Sequence, residues 1–499
     1  MAAKPDSLFD REAEWTDLIR FASPQHAALR LGIVYGRRRF GKSYLLRRLV
    51  EAVGGVYHLA LREERRSALD RFAASLGRQQ RWVPAAPVRD WGDALTQAVT
   101  LLGTNGTTPQ VLVIDEYPYL QQTCGEMDTT VQALMDEAAG GTLTDGWTAP
   151  VSIVLCGSAM SVMTRILSGT SALRGRAVLD LPLAAFDYRV ARGFWDIDDP
   201  AVAFTVDSVV GGAAGYKDLT ADAGTPTRLD DVPEWLCATV LNPSHALFRE
   251  DNYLLREDPR VTDEAVYYSL LGAIADGRTA PVRIAEALGR TSTDIGHHMT
   301  VMTTAGFVTR QDDLLRARRP TYRVADPIVC FHHLINRRHR ARLEDRMAPR
   351  VWSEASATYR SGIVGPHFEA ICRVWTDRYA SAETLGGGTD RSASLQVDDP
   401  RSRQSFQLDV VARRSGDRND GTTSIQLLGE AKARRLNTDD LARLDRLADL
   451  LTRRRGVVLA PDAKRLLFSL DGFSNDLVST ATTRPDVELI DLHRLYEGD

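Results

Sequence analysis

The first 190 residues alternate short apolar runs with amphipathic segments. The runs are nearly continuous in hydrophobic residues, as expected for parallel strands buried on both faces of a sheet. The candidate strands are Leu31–Tyr35, Val56–Leu61, Val111–Asp115 and Val151–Cys156, and two of the helical patterns between them are Tyr44–Val53 and Trp91–Leu102. Because strands and helices alternate along the chain, we predict a doubly wound α/β sheet over residues 1–190.

The hydrophobic pattern changes after this region. Residues 191–260 are predicted to form a helical extension with a turn-rich interruption at Ala221–Pro233. Residues 261–330 show three helix candidates followed by a short hairpin, which is the outline of a winged helix. These elements are predicted at Glu264–Asp276, Arg283–Leu288, Asp294–Thr304, Phe307–Arg310 and Thr321–Val324.

The last part of the chain returns to alternating apolar and amphipathic segments. Residues 331–359 contain the arginine-rich string INRRHRARLEDRMAPR, and we interpret them as a basic linker. Residues 360–499 are predicted to form a second α/β domain, with strands near Ser405–Arg413 and Ser424–Ala433. The length of 499 residues is enough for about three domains.

Composition narrows the class of protein. With 43% hydrophobic and 26% charged residues, the chain is typical of globular proteins. Its net charge of −4 argues against a global basic field, so a nucleic-acid surface would be a local patch. Five scattered cysteines without CxxC spacing argue against a zinc knuckle and against a disulfide framework. No apolar run reaches the ~20 residues of a membrane span, so we expect a cytoplasmic protein without a membrane partner.

The strongest chemical signal is the string GRRRFGKS at residues 36–43. It fits the pattern G-x-x-x-x-G-K-[ST] and stands between an apolar strand and a helical segment. In such a loop the backbone N–H groups surround the phosphates, Lys42 reaches the β- and γ-phosphates, and Ser43 binds Mg²⁺. A glycine-rich turn without a ligand is the alternative. The predicted ATP-binding residues are Gly36, Arg37, Arg38, Arg39, Phe40, Gly41, Lys42, Ser43 and Tyr44.

Further candidates for the nucleotide site follow two of the predicted strands. The string VLVIDE places Asp115 and Glu116 at the carboxyl end of a strand, where ligands bind in such sheets. We predict that Asp115 holds magnesium and that Glu116 is the general base for the attacking water, unless both only cap the strand. Ser158 is either a sensor of the γ-phosphate or an ordinary turn serine. Arg174 and Arg176 are each either an arginine finger in a homo-oligomer or a surface arginine.

A second group of candidate catalytic residues lies in residues 360–499. Glu430 and Lys432 are two positions apart on a predicted strand, so their side chains share one face. Asp409 lies on a neighbouring predicted strand, and two carboxylates together can bind a hard cation such as Mg²⁺. Such a cation would polarise a scissile phosphate, with Lys432 beside it and Glu369 as a further carboxylate from the preceding helix. The alternative is an inactive fold in which these charges pair only with each other.

Several basic groups suggest local contacts with nucleic acid. The arginine runs are Arg337, Arg338, Arg340 and Arg342, then Arg434 and Arg435, then Arg453–Arg455. The predicted wing carries Arg310, Arg316, Arg318 and Arg319, and the predicted recognition helix exposes His297, His298 and Thr300. Because phosphate contacts dominate DNA affinity, we expect contacts with a duplex backbone. Solvated surface, or a lever or subunit contact for the winged helix, is the alternative.

Two stretches of the chain resemble known families. The strings FDREAEW, GRRRFGKS, VIDEYPYL, LCGSAMSVM, LRGRA, LPLAAFDYR and VVGGAAGY occur in this order in residues 9–330, which resemble the archaeal-type ATPases of the STAND/AAA+ group. Residues 360–495 resemble the PD-(D/E)xK nuclease superfamily, with Asp409, Glu430 and Lys432 at the motif positions and Leu408 where the motif has proline. The resemblance implies a P-loop ATPase, a winged helix and a restriction-endonuclease-like α/β C-terminal domain.

These features predict a protein that binds ATP and Mg²⁺, hydrolyses ATP, and couples this to metal-dependent cleavage of DNA. The alternative is a nucleotide-gated DNA-binding or signalling switch with an inactive nuclease-like domain. A role in defence or in DNA processing follows from the family analogy alone.

Overall fold

The apolar runs of the N-terminal region form a five-stranded parallel sheet in the computed structural model, which describes residues 2–26, 28–80, 88–104, 107–169, 171–315, 319–399, 403–416 and 422–499. The strands are β1 (Leu29–Tyr35), β2 (Gly55–Leu59), β3 (Gln110–Asp115), β4 (Val151–Gly157) and β5 (Ala177–Pro182), in the order β2-β3-β4-β1-β5. The predicted α/β class is thereby confirmed. The sequence pattern missed β5, because this edge strand is largely exposed and lacks a continuous apolar run.

Helices cover both faces of this sheet. They are α1 (Glu12–Ala22), α2 (Lys42–Val53), α3 (Arg65–Gln80), α4 (Trp91–Thr104), α5 (Tyr117–Thr123), α6 (Met127–Ala139) and α7 (Met160–Ile166). Helices α1 and α2 pack with Val34 and Val113 on one face, whereas α3, α4 and α6 pack with Ile33 and Ile114 on the other. Successive strand residues point to opposite faces, so burial of both faces explains why the strands read as continuous apolar runs.

A helical region follows the sheet. It contains α8 (Tyr188–Trp195), α9 (Pro200–Val210), α10 (Gly215–Leu219), α11 (Val232–Ala238) and α12 (Glu250–Glu257). Three more helices and an antiparallel hairpin come next: α13 (Glu264–Ala275), α14 (Pro281–Ala287), α15 (Ser292–Thr304), β6 (Val308–Gln311) and β7 (Thr321–Val324). Each lies within a few residues of its predicted position.

The segment interpreted as a basic linker is folded instead. Its helices are α16 (Pro327–Phe331), α17 (Arg340–Glu344) and α18 (Ala348–Tyr359), with π-helical turns at His332–Asn336 and Arg360–Val364. Leu334, Ile335 and Val351 are buried in the core that also holds α9 and α11. The arginines suggest a charged linker, but the apolar residues between them recur at helical spacing and pack in the core.

The C-terminal region forms a second five-stranded sheet, which is mixed. Its elements are α19 (Gly365–Arg378), β8 (Ala393–Asp399), β9 (Gln404–Arg413), β10 (Thr423–Lys432), α20 (Thr438–Thr452), β11 (Val457–Ser469), α21 (Asn475–Thr483), β12 (Val487–Asp491) and α22 (Leu492–Glu497). The order is β12-β11-β10-β9-β8. Strands β8, β9 and β10 pair antiparallel, and β10, β11 and β12 pair parallel.

The helical region and one face of the C-terminal sheet share a hydrophobic core. This core includes Phe204 of α9, Trp375 of α19 and Phe468 of β11. At its edge, α22 docks on α8 where the Tyr188 hydroxyl donates to the carbonyl of Leu495 at 2.6 Å. Within the described ranges, no helix is both long and apolar enough to cross a membrane.

Candidate functional site

The P-loop joins β1 to α2 at the carboxyl edge of the parallel sheet. Gly41 precedes α2 with a φ of 88°, a conformation that glycine adopts without strain. At Gly36 a Cβ would lie 2.2 Å from the carbonyl oxygen of Leu183, which follows β5. The first glycine of the motif is therefore required by close approach of a neighbouring backbone.

We expect Gly36→Ala to destabilise the fold by about 1–3 kcal/mol and to weaken nucleotide binding, because the loop must shift to accommodate the methyl group. Urea unfolding and titration with a fluorescent ATP analogue measure the two effects. Gly125→Ala is the matched control: apart from its chain neighbours, no atom of a described residue lies within 4 Å of its Cβ position, so it should stay within about 0.5 kcal/mol of the wild type. Equal nucleotide affinities for Gly36→Ala and the wild type would contradict the steric explanation.

Ser43 and Asp115 meet at the end of the P-loop. The Ser43 hydroxyl donates to the Oδ2 atom of Asp115 at 2.6 Å, and the Tyr57 hydroxyl donates to the same oxygen. Asp115 is fully buried at the end of β3. The Lys42 ammonium donates to the carbonyl of Arg37 at 3.1 Å, across the loop. A hydroxyl and a carboxylate in contact beside a lysine are the groups that hold magnesium and phosphates in P-loop proteins.

Glu116 follows Asp115 in a strained left-handed conformation, with a φ of 55°. The Ser158 hydroxyl, at the end of β4, donates to its Oε2 atom at 3.2 Å. Burial, followed by the charge of Asp115, raises the pKa of Glu116 above the ordinary carboxyl range. A partly buried carboxylate with a raised pKa is suited to accepting a proton from water.

An apolar cavity of about 290 Å³ lies beside the P-loop and was not predicted from the sequence. Three phenylalanine rings pack there, with centroids 5.2–6.0 Å apart. Tyr44 lines the cavity, and its hydroxyl donates to the carbonyl of Ser7. The cavity has the character of a site for a flat aromatic group. Its apolar lining includes Phe9, Phe40, Leu183, Phe186, Phe194 and Ala214.

The four predicted catalytic residues of the C-terminal region lie close together. The Lys432 ammonium is 2.9 Å from Oδ2 of Asp409 and 2.8 Å from Oε1 of Glu430. Gln407 bridges to the helix, because its amide donates to Oδ1 of Asp409 at 3.0 Å and to Oε2 of Glu369 at 3.3 Å. Antiparallel pairing of β9 with β10 brings these positions together.

Burial and charge make this cluster unusual. Burial, followed by the charge of Asp409, raises the pKa values of both Glu369 and Glu430. Burial lowers the pKa of Lys432, but the charges of Asp409 and Glu430 outweigh it and give a net increase. The Oε2 atom of Glu430 is buried and accepts no hydrogen bond from the part of the chain that the structure describes. A buried carboxylate oxygen without a partner is costly, and a bound cation would satisfy it.

Among the described residues, no group of three or more His, Cys, Asp or Glu side chains is arranged to hold a metal ion. The carboxylates Asp409 and Glu430 form a pair rather than such a group. Mg²⁺ in particular is commonly held by one or two carboxylates together with water and substrate phosphate. The pair therefore fits a cation that completes its coordination with water and phosphate oxygens.

Two arginines beside the cluster were not identified from the sequence. Arg443 of α20 forms an ion pair with Glu430, and Arg323 of β7 donates to Oε2 of Glu369 at 2.9 Å. Neither belongs to a local motif with its partner. The helical pattern of α20 places Arg443 on a helix, which is the only information that the sequence gives about its position. No sequence pattern indicates that Arg323 lies near Glu369.

Residues 8–198 match the model of an ATPase domain found predominantly in Archaea. The match covers all five strands of the parallel sheet. An uncharacterized protein of Methanocaldococcus jannaschii is 22% identical over 308 residues, which are 60% of this chain and 62% of that relative. The match thus spans less than two thirds of the relative's length.

Solved structures similar to this chain include a Walker-type ATPase of Pyrococcus abyssi, with a TM-score of 0.48 and 18% identity. That similarity covers 66% of this chain and 97% of the other. The Aeropyrum pernix ORC2 protein in its ADPNP–ADP complexes has a TM-score of 0.45 and 14% identity, over 71% of this chain and 97% of that protein.

The side chains of the three P-loop arginines contact carboxylates outside the ATPase domain. Arg37 lies 2.9 Å from Asp326, Arg38 lies 2.6 Å from Glu257, and Arg39 lies 3.1 Å from Glu250. All three are among the predicted nucleotide-binding residues. In this arrangement the backbone of the loop and the side chain of Lys42 can contact a nucleotide, whereas these guanidinium groups are paired with carboxylates.

The candidate arginine fingers make contacts within their own chain. Arg176 forms two hydrogen bonds of 3.0 Å with Asp136 of α6 in the ATPase domain. Arg174 donates to the carbonyl of Gly169 at 3.1 Å and is exposed. Neither contact involves the P-loop, so a role in hydrolysis would require a second subunit.

Most of the predicted basic patches are neutralised locally. Carboxylates pair with Arg338, Arg340, Arg342 and Arg434. Arg337 lies over the Tyr268 ring, and Arg435 donates to the carbonyl of Phe473. The exposed Arg453 and Arg455 follow α20. Within α15, His297 and Thr300 are exposed, but His298 packs against Tyr267. In the predicted wing, Arg310 pairs with Asp312, and Arg316 and Arg318 lie outside the described residues.

Proposed function

We propose that the ATPase domain binds Mg·ATP and hydrolyses it. The contact of Ser43 with Asp115 at 2.6 Å carries this proposal, because it places a hydroxyl and a carboxylate where one magnesium ion can bind both. Magnesium would neutralise charge on the β- and γ-phosphates. Lys42 would bind the same phosphates, and the phenylalanine-lined cavity would hold the adenine. Glu116 would take a proton from the attacking water, with Ser158 holding its carboxylate in place.

We further propose that the C-terminal cluster cleaves phosphodiester bonds of DNA and that nucleotide controls this activity. The supporting observation is the convergence of Asp409 and Glu430 on Lys432, with one oxygen of Glu430 buried and unpartnered in the described structure. A divalent cation at this pair would polarise the scissile phosphate. Lys432 would orient the attacking water and stabilise the negative charge that develops on phosphate oxygens.

A cleft provides a route for a nucleic-acid strand. It has a volume of about 490 Å³ and separates the β6–β7 hairpin and α14 from strands β8 and β9. Arg319 and Arg323 line one side, and Gln407, which contacts both Glu369 and Asp409, lines the other. We propose that α13–α15 and the hairpin act as a winged helix that brings DNA to this cleft, with Arg319 available for a phosphate.

A cleavage assay tests this proposal. Supercoiled, linear and single-stranded DNA are incubated with the full-length protein and Mg²⁺ or Mn²⁺, each with ATP, with ADP and without nucleotide. We expect cleavage that requires the divalent cation, changes with nucleotide and stops on chelation with EDTA. No cleavage of any DNA form under all of these conditions would overturn the nuclease proposal. ATP hydrolysis together with DNA binding would then favour a nucleotide-gated DNA-binding switch, for which the ion-paired carboxylates would be structural.

A further inference from the structure

The β6–β7 hairpin contacts both candidate sites. Where the hairpin begins and ends, Arg37 of the P-loop donates to the carbonyl of Gly306 at 3.2 Å and pairs with Asp326 at 2.9 Å. Near the same end of the hairpin, Arg323 of β7, which pairs with Thr309 of β6, donates to Glu369 of the carboxylate–lysine cluster. Arg37 and Asp326 are both nearly fully buried, so their pairing is not a loose surface contact.

Only two residues, Val324 and Ala325, separate the two contacts along the chain. Arg323 lies on β7, and Asp326 follows that strand and begins α16, where its Oδ1 atom accepts a hydrogen bond from the backbone of Ile328. The Arg37 guanidinium also lies 4.8 Å from the ring of Phe307, which precedes β6. A shift of the hairpin relative to the P-loop would therefore displace Arg323 as well.

The contact of Arg323 with Glu369 hinders the binding of a cation to this carboxylate. Oε2 of Glu369 already accepts from Arg323 at 2.9 Å and from Gln407 at 3.3 Å. A guanidinium beside the carboxylate repels a divalent cation and competes for the same oxygen. Burial, and next the charge of Arg323, lower the pKa of nearby Arg373, which shows how closely the positive charges are placed.

Two glutamates contact the P-loop from a neighbouring helix and place negative charge beside it. Glu250 and Glu257 lie seven residues apart on α12, so they share one face of the helix, and they pair with Arg39 and Arg38 of the P-loop. Burial raises the pKa of Glu257, and the guanidinium of Arg38, followed by the ammonium of Lys42, opposes this increase. The phosphates of ATP would repel these carboxylates and compete with them for the positive charges of the loop.

We infer that the hairpin is an ATP-responsive latch on the carboxylate–lysine cluster. Binding of ATP at the P-loop weakens the hold of Arg37 on Asp326 and Gly306, the hairpin moves, and Arg323 leaves Glu369. The cluster then becomes able to bind a divalent cation and a phosphodiester. The consequence for cleavage rests on the proposed nuclease function, whereas the movement of the hairpin does not.

Hydrogen–deuterium exchange of the full-length protein tests the movement directly. We expect a non-hydrolysable ATP analogue with Mg²⁺ to speed exchange of β6 and β7 by about tenfold relative to the nucleotide-free protein. Arg37→Gln should show the fast exchange without nucleotide. Arg310→Gln is the matched control, because this arginine lies on the same hairpin and, within the part of the chain that the structure describes, forms its ion pair with nearby Asp312. Equal exchange of the wild-type hairpin with and without the analogue would overturn the inference.

Binding of Mn²⁺ in the absence of nucleotide tests the other end of the latch. Arg323→Gln should bind Mn²⁺ about fivefold more tightly than the wild type, and Arg310→Gln should not. Unchanged Mn²⁺ affinity in Arg323→Gln would show that the arginine does not guard the cluster. The two proposals fail separately. If the hairpin responds to nucleotide but the protein cuts no DNA, only the nuclease proposal is contradicted. If the protein cuts DNA but the hairpin does not respond to nucleotide, only the latch is contradicted.

Discussion

Replacing Glu116 by glutamine will slow ATP hydrolysis by a factor of about 10²–10⁴ while ATP still binds. The amide keeps the shape of the side chain and its contact with Ser158, but it cannot accept a proton from water. The P-loop, Ser43 and Asp115 are untouched, so the phosphate and magnesium contacts remain. Single-turnover hydrolysis and binding of a fluorescent ATP analogue, measured on the same preparation, separate the two effects.

The pH dependence of hydrolysis provides a second measurement of the same group. The base must be ionised, so the rate should fall as the pH is lowered through the raised pKa of Glu116. This acid limb should lie above the ordinary carboxyl range and should be absent from the residual activity of Glu116→Gln. Glu51→Gln is the matched control, because this exposed glutamate lies near the C-terminal end of α2, away from Ser43 and Asp115. A Glu116→Gln variant with wild-type turnover would show that Glu116 is not the general base in ATP hydrolysis.

The second large effect is expected at the C-terminal cluster. Replacing Glu430 by glutamine should lower DNA cleavage by about 10³-fold, because loss of a cation-binding carboxylate removes several kcal/mol of charge stabilisation in the transition state. Lys432→Met should have a comparable effect through loss of the ammonium group. ATP hydrolysis should remain near the wild-type rate in both variants, since neither residue contacts the nucleotide site.

The design of this experiment must separate chemistry from folding. Glu430 is 1% exposed and pairs with Lys432 and Arg443, so its replacement affects packing and charge as well as the reaction. Thermal unfolding of each variant checks the fold, and Glu383→Gln, on the surface of the same region, is the control. Folded Glu430→Gln protein that cuts DNA at the wild-type rate would place the cleavage site elsewhere.

Local patterns in the sequence were sufficient for much of this structure. The P-loop was identified because its glycines, lysine and serine follow one another along the chain. The pairing of Glu430 with Lys432 on one face follows from strand periodicity, which requires no knowledge of the rest of the fold. The hairpin and the three helices before it were predicted within a few residues for the same reason.

Contacts between distant segments were beyond these patterns. The phenylalanine-lined cavity combines Phe9, Phe40 and the pair Phe186 and Phe194, from three separate parts of the chain. The region interpreted as a basic linker contains helices, and an arginine-rich composition does not reveal which apolar residues between the arginines are buried. The role of the P-loop arginines was similarly hidden, since their carboxylate partners lie more than 200 residues away.

The amino-acid sequence by itself determined the elements and the chemical groups: a phosphate-binding loop, two carboxylates after a buried strand, and an Asp, Glu and Lys set on two later strands. Only the tertiary structure decided how these groups are connected. It placed Arg37 against Asp326 and Arg323 against Glu369, and so put one hairpin between the two candidate sites. The physical reason is that local hydrogen bonding and side-chain periodicity act over a few residues, whereas ion pairs across a shared core depend on how whole elements pack.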